Sequence, residues 1–266
     1  MTNEPQQGDN SLLQQDGNQE NRMHWPYPAG FAHRLGGALA PENTLAGLLL
    51  SHRLGVSGVE CDVQLSADGK AVIAHDAELE RCTTGNGPLG AQTLAALQQL
   101  DAGRYFHPAF AGETMPSLAQ LATRCRKLGM AVNLELKPAG DDAAMARQCV
   151  AEIAALWQGA ALPPLLSSFS LPALAAAQQA APQLPRALLL TQLSDEAVAQ
   201  ALALGCRAVH VYHRALTAEW VANLHQQSLA VMAWTVNRSE DMQRLRQWGV
   251  DMLCTDRPDR LEPGWA

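Results

Sequence analysis

Two hydrophobic rhythms interleave along this chain. Short, dense apolar runs predict strands over 31–34, 58–65, 71–75, 130–137, 164–169, 186–190, 208–213, 229–236 and 251–256. Between them, apolar residues return at helical spacing over 44–54, 118–128, 142–157, 171–181, 195–204, 217–227 and 240–248. The first helical stretch stops beside Gly55, a residue that favours helix termination. About eight β-units recur at spacings of roughly 20 to 30 residues, which predicts an α/β fold of the TIM (β/α)8 type. A doubly wound open sheet also alternates, but usually carries a Gly-rich phosphate loop after its first strand.

Two segments break the rhythm. Residues 77–116 lack clean periodicity and hold Gly85, Gly87, Gly90, Gly103 and Gly112. They are expected to form a small insertion after the second strand unit, with a little helix, lying over one end of the barrel. Residues 1–22 are rich in Gln, Asn, Asp and Gly and cannot bury enough apolar surface to order themselves. The expected division is a disordered polar tail over 1–24 and a barrel domain over 25–266.

Composition narrows the functional classes. The chain has 266 residues, 47% of them hydrophobic, enough for one large core. A net charge of -7 argues against a nucleic-acid coat or an anionic membrane surface. It still permits an anionic substrate if a bound cation reverses the local field. The six cysteines (Cys61, Cys82, Cys125, Cys149, Cys206 and Cys254) form no CxxC pair, and none sits at zinc-ligand spacing from a histidine. Most lie inside apolar runs and read as small core residues, so reduced thiols and a cytoplasmic location are expected. No secretory signal pattern and no stretch long enough to span a membrane is seen.

The candidate chemistry lies in or at the ends of the apolar runs. Glu60 and Asp62 are two apart on a strand, so both carboxylates share one face, while Cys61 turns towards the covering helices. Two acids facing a barrel interior are too costly to leave unpaired, and a cation between them would remove the cost. Glu135 and Lys137 repeat the spacing on a later strand. Glu135 can complete a three-carboxylate site for one divalent cation, and Lys137 can reach a phosphate oxygen. An all-oxygen set favours Mg2+ or Ca2+ over zinc. His33 and His75 end two strands and suit a proton acceptor and a proton donor. His24, His52, His107, His210, His213 and His225 read as structural or surface groups. Arg34 can grip a phosphate with its fork. Asn43 can cap the first helix, Glu42 can approach the site, and Trp234 can form an apolar wall for the leaving group or be plain core. Ion pairs with neighbouring strands remain the bland alternative for the acids. The set as a whole describes metal-assisted cleavage of a phosphate ester.

Five segments then carry a resemblance: HRLGGALAPENT (33–44), GVECDVQLSADGKAVIAHDAELERCTTGNG (58–87), NLELKP (133–138), MAWTVN (232–237) and CTD (254–256). Together they resemble the glycerophosphodiester phosphodiesterase family from about Trp25 onward. The likeness is strongest to its cytosolic bacterial members that accompany glycerol-phosphate uptake. The resemblance implies a TIM barrel that hydrolyses glycerophosphodiesters, a small-molecule substrate class, to sn-glycerol 3-phosphate and an alcohol. It implies a divalent ion on Glu60, Asp62 and Glu135, with His33 and His75 as the general acid/base pair. Arg34 and Lys137 fall on phosphate-contacting positions. One departure is Leu35, where the family usually has glycine, so a side chain is expected to crowd the loop beside His33. A related barrel phosphodiesterase acting on phospholipids, or a non-catalytic ligand-binding barrel, remains open at this point.

Overall fold

The computed structural model describes residues 25–262 and Trp265; the expected polar tail lies outside these residues. The chain begins with β1 (Gly30–Ala32), α1 (Leu45–Arg53), β2 (Gly58–Leu65) and β3 (Ala71–Ile73), then α2 (Leu94–Leu97) and α3 (Leu118–Leu128). Strict alternation follows: β4 (Ala131–Leu136), α4 (Asp142–Leu156), β5 (Leu165–Ser168), α5 (Leu171–Ala180), β6 (Arg186–Leu190) and α6 (Asp195–Ala203). It ends with β7 (Ala208–Tyr212), α7 (Ala218–Gln226), β8 (Ala230–Trp234), α8 (Ser239–Gln247) and β9 (Met252–Thr255).

In space the strands run β1-β9-β8-β7-β6-β5-β4-β2, and a β1–β2 pairing closes the ring. Every pairing around that ring is parallel, so this is a TIM barrel. β3 is not part of it. β2 is eight residues long and projects beyond the rim. It turns at Ser66–Lys70, with Gly69 at φ +67°, and β3 folds back antiparallel upon it. The expectation that His75 ends a strand of the same kind as His33 is therefore corrected. A run as short as Ala71–Ala74 cannot reveal its direction, and the hairpin returns it to the rim, where the Ala74 N–H donates to the Asp62 carbonyl at 3.0 Å.

Local chemistry fixes the helix starts. Thr44, Ser117, Asp141, Ser170, Ser194 and Thr217 each accept the backbone N–H three residues on. At Ser117 the Gln120 side chain reaches back to complete a capping box. Thr44, not Asn43, caps α1; Asn43 sits at φ +56° with its side chain turned elsewhere. The barrel floor is apolar and narrow: Ala187, Ala208 and Ala230 lie in register and share the lower interior with Phe31, Leu165 and Met252. Residues 77–116 hold α2 and two 3-10 turns around a small core of their own that includes Leu79, Leu89, Leu97 and Met115. Among the described residues, no helix is long and apolar enough to cross a membrane.

The loop after β1 is unusual. Arg34 and Leu35 both adopt the left-handed region, at φ +49° and +73°. That conformation costs an L-residue about 1–2 kcal/mol. Leu35 offsets it by packing, fully buried, in the apolar layer between the ring and its helices, together with Leu48 and Val59. The expected crowding beside His33 does not arise, because the side chain enters the core. Leu35→Gly would relieve about 1–2 kcal/mol of backbone strain but forfeit about 2–5 kcal/mol of buried side chain. A net loss of roughly 1–3 kcal/mol in urea unfolding is expected; stability equal to or above that of the parent would contradict this balance.

Candidate active site

The acids meet because β2 and β4 are neighbours in one register. Glu60 lies opposite Asn133, and Asp62 opposite Glu135. The two-residue period then turns all four side chains into the barrel. Carboxylate oxygens of Glu60, Asp62 and Glu135 lie within 4.8 Å of one another, and each side chain is largely buried. Burial pushes Glu60 and Glu135 well above the ordinary carboxylate range, and the Asp62 charge beside them adds to it. Lys137 offers one ammonium against three acids, 3.3 Å from Glu135 and 3.8 Å from Asp62. The Arg34 N–H donates to Glu60 Oε2 at 2.9 Å, and Asn43 Nδ2 donates to Asp62 Oδ2 at 2.9 Å. Both Arg34 and Asn43 are left-handed residues. Three converging buried oxygen donors with a single compensating ammonium fit a hard divalent cation better than a salt bridge.

Two imidazoles flank the acids, each against its own carboxylate. His33 Nδ1 is 2.7 Å from Asp256 Oδ1, and its Nε2 is 3.9 Å from Glu60 Oε2. Asp256 is held by Asn237, whose Nδ2 donates to Oδ2 at 2.9 Å. Burial acts to lower the His33 pKa, but the Asp256 hydrogen bond and the Glu60 charge outweigh it, so the net direction is up. His75 Nδ1 is 2.6 Å from Asp76 Oδ1. Asp76 also takes Arg81, which holds its pKa down at about 2, with His75 contributing.

Of the residues singled out from sequence, His33, Arg34, Glu60, His75, Glu135, Lys137 and Trp234 line one cavity of about 170 Å3. Asp62 sits in the acid cluster with them. Glu42 does not line this cavity. It is taken up by Arg34 at 3.0 Å and by both terminal nitrogens of Arg81, at 2.7 and 2.8 Å. Trp234 stands in an aromatic wall with Phe169 and Tyr212 at centroid distances of 5.6 Å. His213 is buried beside Tyr212 and outside the cavity lining.

Several participants were missed in the sequence. Asp256 and Asp76 orient the imidazoles, and Asn43 grips Asp62 instead of capping a helix. Arg81 arrives from the insertion. His210, expected to be structural or on the surface, lines the cavity from β7. The period-two alternation Ala208-His210-Tyr212 was the available signal for it. For Arg81 the local signal was incomplete, because Asp76 is near in sequence but its second partner, Glu42, lies on another loop.

Comparisons with known proteins identify the family. Residues 33–260 match the Glycerophosphoryl diester phosphodiesterase family. A glycerophosphodiester phosphodiesterase of Caldanaerobacter subterraneus subsp. tengcongensis is 32% identical over 236 residues, covering 86% of this chain and 94% of its own. A second, from Bacillus subtilis, is 29% identical over 247 residues, covering 86% and 83%. Among solved structures, an Oleispira antarctica phosphodiesterase in complex with the product sn-glycerol-3-phosphate superposes with a TM-score of 0.83 and 32% identity, covering 88% of this chain and 95% of that one. The glycerophosphodiester phosphodiesterase of Agrobacterium tumefaciens superposes at 0.74 with 26% identity, covering 88% and 98%. With the family matched across nearly the whole barrel, and with paired imidazoles and clustered acids in one cavity, this chain belongs to the glycerophosphoryl diester phosphodiesterase family and is an enzyme of that kind.

Proposed function

We propose that this enzyme hydrolyses glycerophosphodiesters such as glycerophosphocholine and glycerophosphoethanolamine to sn-glycerol 3-phosphate and an alcohol. One divalent cation, Mg2+ or Ca2+, would be held by Glu60, Asp62 and Glu135. The observation that carries this reading is the convergence of three buried carboxylates between two imidazoles that are each oriented by an aspartate. The product found in the Oleispira antarctica structure supports the substrate class. Buried, unpaired thiols support a reducing, cytoplasmic setting, and the products suit glycerol and lipid metabolism.

When bound, the cation supplies Lewis-acid contact to a phosphate oxygen and neutralises charge. The chain's own groups do the rest. Lys137 and Arg34 face the phosphodiester as a point charge and a fork, with Glu42 and Arg81 bracing the Arg34 guanidinium. With Nδ1–H donated to Asp256 or Asp76, His33 and His75 each keep Nε2 free for proton transfer. One imidazole takes a proton from the nucleophile and the other gives one to the departing alcohol oxygen. The nucleophile is the glycerol 2-hydroxyl, already held beside phosphorus, or water. In the first route a cyclic glycerol phosphate forms as the alcohol leaves and water then opens it to sn-glycerol 3-phosphate, so detection of the cyclic ester would identify that route. Trp234, with Phe169 and Tyr212, forms the apolar wall against which the leaving group rests.

Incubation with glycerophosphocholine and a coupled glycerol 3-phosphate assay should show turnover; its absence would overturn the reading. His33→Ala and His75→Ala should each lower kcat by roughly 100-fold or more while folding is retained. Near-parental rates in both would end the acid/base assignment. Chelator should abolish turnover and added Mg2+ or Ca2+ restore it, whereas full activity in excess chelator removes the cation from the mechanism. Asp256→Asn deletes the charge and hydrogen bond that raise the His33 pKa. The limb of the kcat/KM–pH profile governed by His33 should therefore move to lower pH. A limb that stays or rises would refute the pairing.

A further inference from the structure

Beside the acid cluster the cavity lining is polar and unfinished. Neither ring nitrogen of His210 has a hydrogen-bond partner among the described residues, and the side chain is 1% exposed. Asn133 is 2% exposed; its Nδ2 donates to Ser167 Oγ at 3.1 Å, but its Oδ1 has no donor among the described residues. Both residues line the same cavity. His210 lies in register with Leu189 on one side and Met232 on the other, and both apolar neighbours line that cavity too.

Buried polar atoms in folded proteins nearly always find a partner, and leaving one unmade costs about 1–3 kcal/mol. His210 is buried with no carboxylate bonded to it, and desolvation drives its pKa down to about 3. It is neutral at physiological pH, so it presents one N–H donor and one bare nitrogen acceptor. Asn133 Oδ1 presents a second acceptor. Two unmet acceptors require donors, which the phosphodiester group and a quaternary ammonium both lack; a primary ammonium has donors but no acceptor for the His210 N–H. An alcohol O–H supplies both a donor and an acceptor. The cationic groups that would meet phosphate, Lys137 and Arg34, are engaged with acids and not with His210 or Asn133.

We propose that His210 and Asn133 hydrogen-bond the free hydroxyl groups of the polyol half of the substrate and so select polyol phosphodiesters over diesters of simpler alcohols. This rests on the reaction proposed above and assigns the part of its cavity lined by His210 and Asn133 to the glycerol unit. The leaving group then lies towards the aromatic rim.

The test compares glycerophosphocholine with 2-hydroxypropyl phosphocholine. The analogue keeps the 2-hydroxyl but lacks the terminal one. The parent enzyme should prefer glycerophosphocholine by about 10-fold or more in kcat/KM, the difference one buried hydrogen bond can supply. In His210→Phe that preference should shrink to within about 2-fold, chiefly through a raised KM for glycerophosphocholine. His210→Gln, which keeps a donor and an acceptor, should recover part of the preference. A parent enzyme that turns over both substrates equally would overturn the proposal even if the variants fail to fold. So would a preference undiminished in folded His210→Phe, the outcome expected if these groups merely hold water. No turnover of glycerophosphocholine by the parent would sink the proposed reaction, and this assignment with it.

Discussion

β2 and β4 pair in parallel with Asp62 opposite Glu135, and three carboxylates are thereby forced into one buried space. The remaining features of the site answer that crowding. Like charges at such separation repel strongly in a low-dielectric interior. The fold answers with Lys137 from the same strand end, with N–H donors from two left-handed residues, and with a geometry that a divalent cation would complete. A one-residue slip of β2 against β4 would turn Glu60 and Asp62 out of the barrel and put Cys61 in their place, leaving Glu135 without them.

The backbone conformation at Arg34 and Leu35 belongs to the same constraint. Turning the Arg34 N–H onto Glu60 requires a left-handed turn just after β1, and the Leu35 N–H then bonds the Glu60 carbonyl at 2.8 Å. Strain at a functional loop is held in place by the packing around it. Here the packing is that of Leu35 itself, whose carbonyl also accepts the Ser51 hydroxyl at 2.6 Å. The core thus reaches up to fix the position of a group that lines the cavity.

The insertion has a similar part on the other side of the cavity. Its small core seats Arg81, which joins Asp76 to Glu42 and so links the His75 carboxylate to the Arg34 guanidinium. Tyr105 from the same segment accepts the Glu42 N–H at 3.1 Å. Orientation of the His75 imidazole and of the Arg34 guanidinium therefore depends on a segment outside the ring.

The alternation of apolar runs and helical stretches was enough to read the barrel, because each layer must bury one face and each face has its own period. The pairs Glu60/Asp62 and Glu135/Lys137 were legible for the same reason: a two-residue spacing fixes a shared side wherever the strand is set. The partners of those residues were not legible. Asp256 reaches His33 across 223 positions of chain only because closure makes β9 the neighbour of β1. His75 returns to the rim only because β2 overshoots and doubles back. His210 became a cavity residue only once eight strands enclosed a common interior. Sequence determined which side chains share a strand face; ring closure, a long-range property no local pattern encodes, decided which faces look at one another.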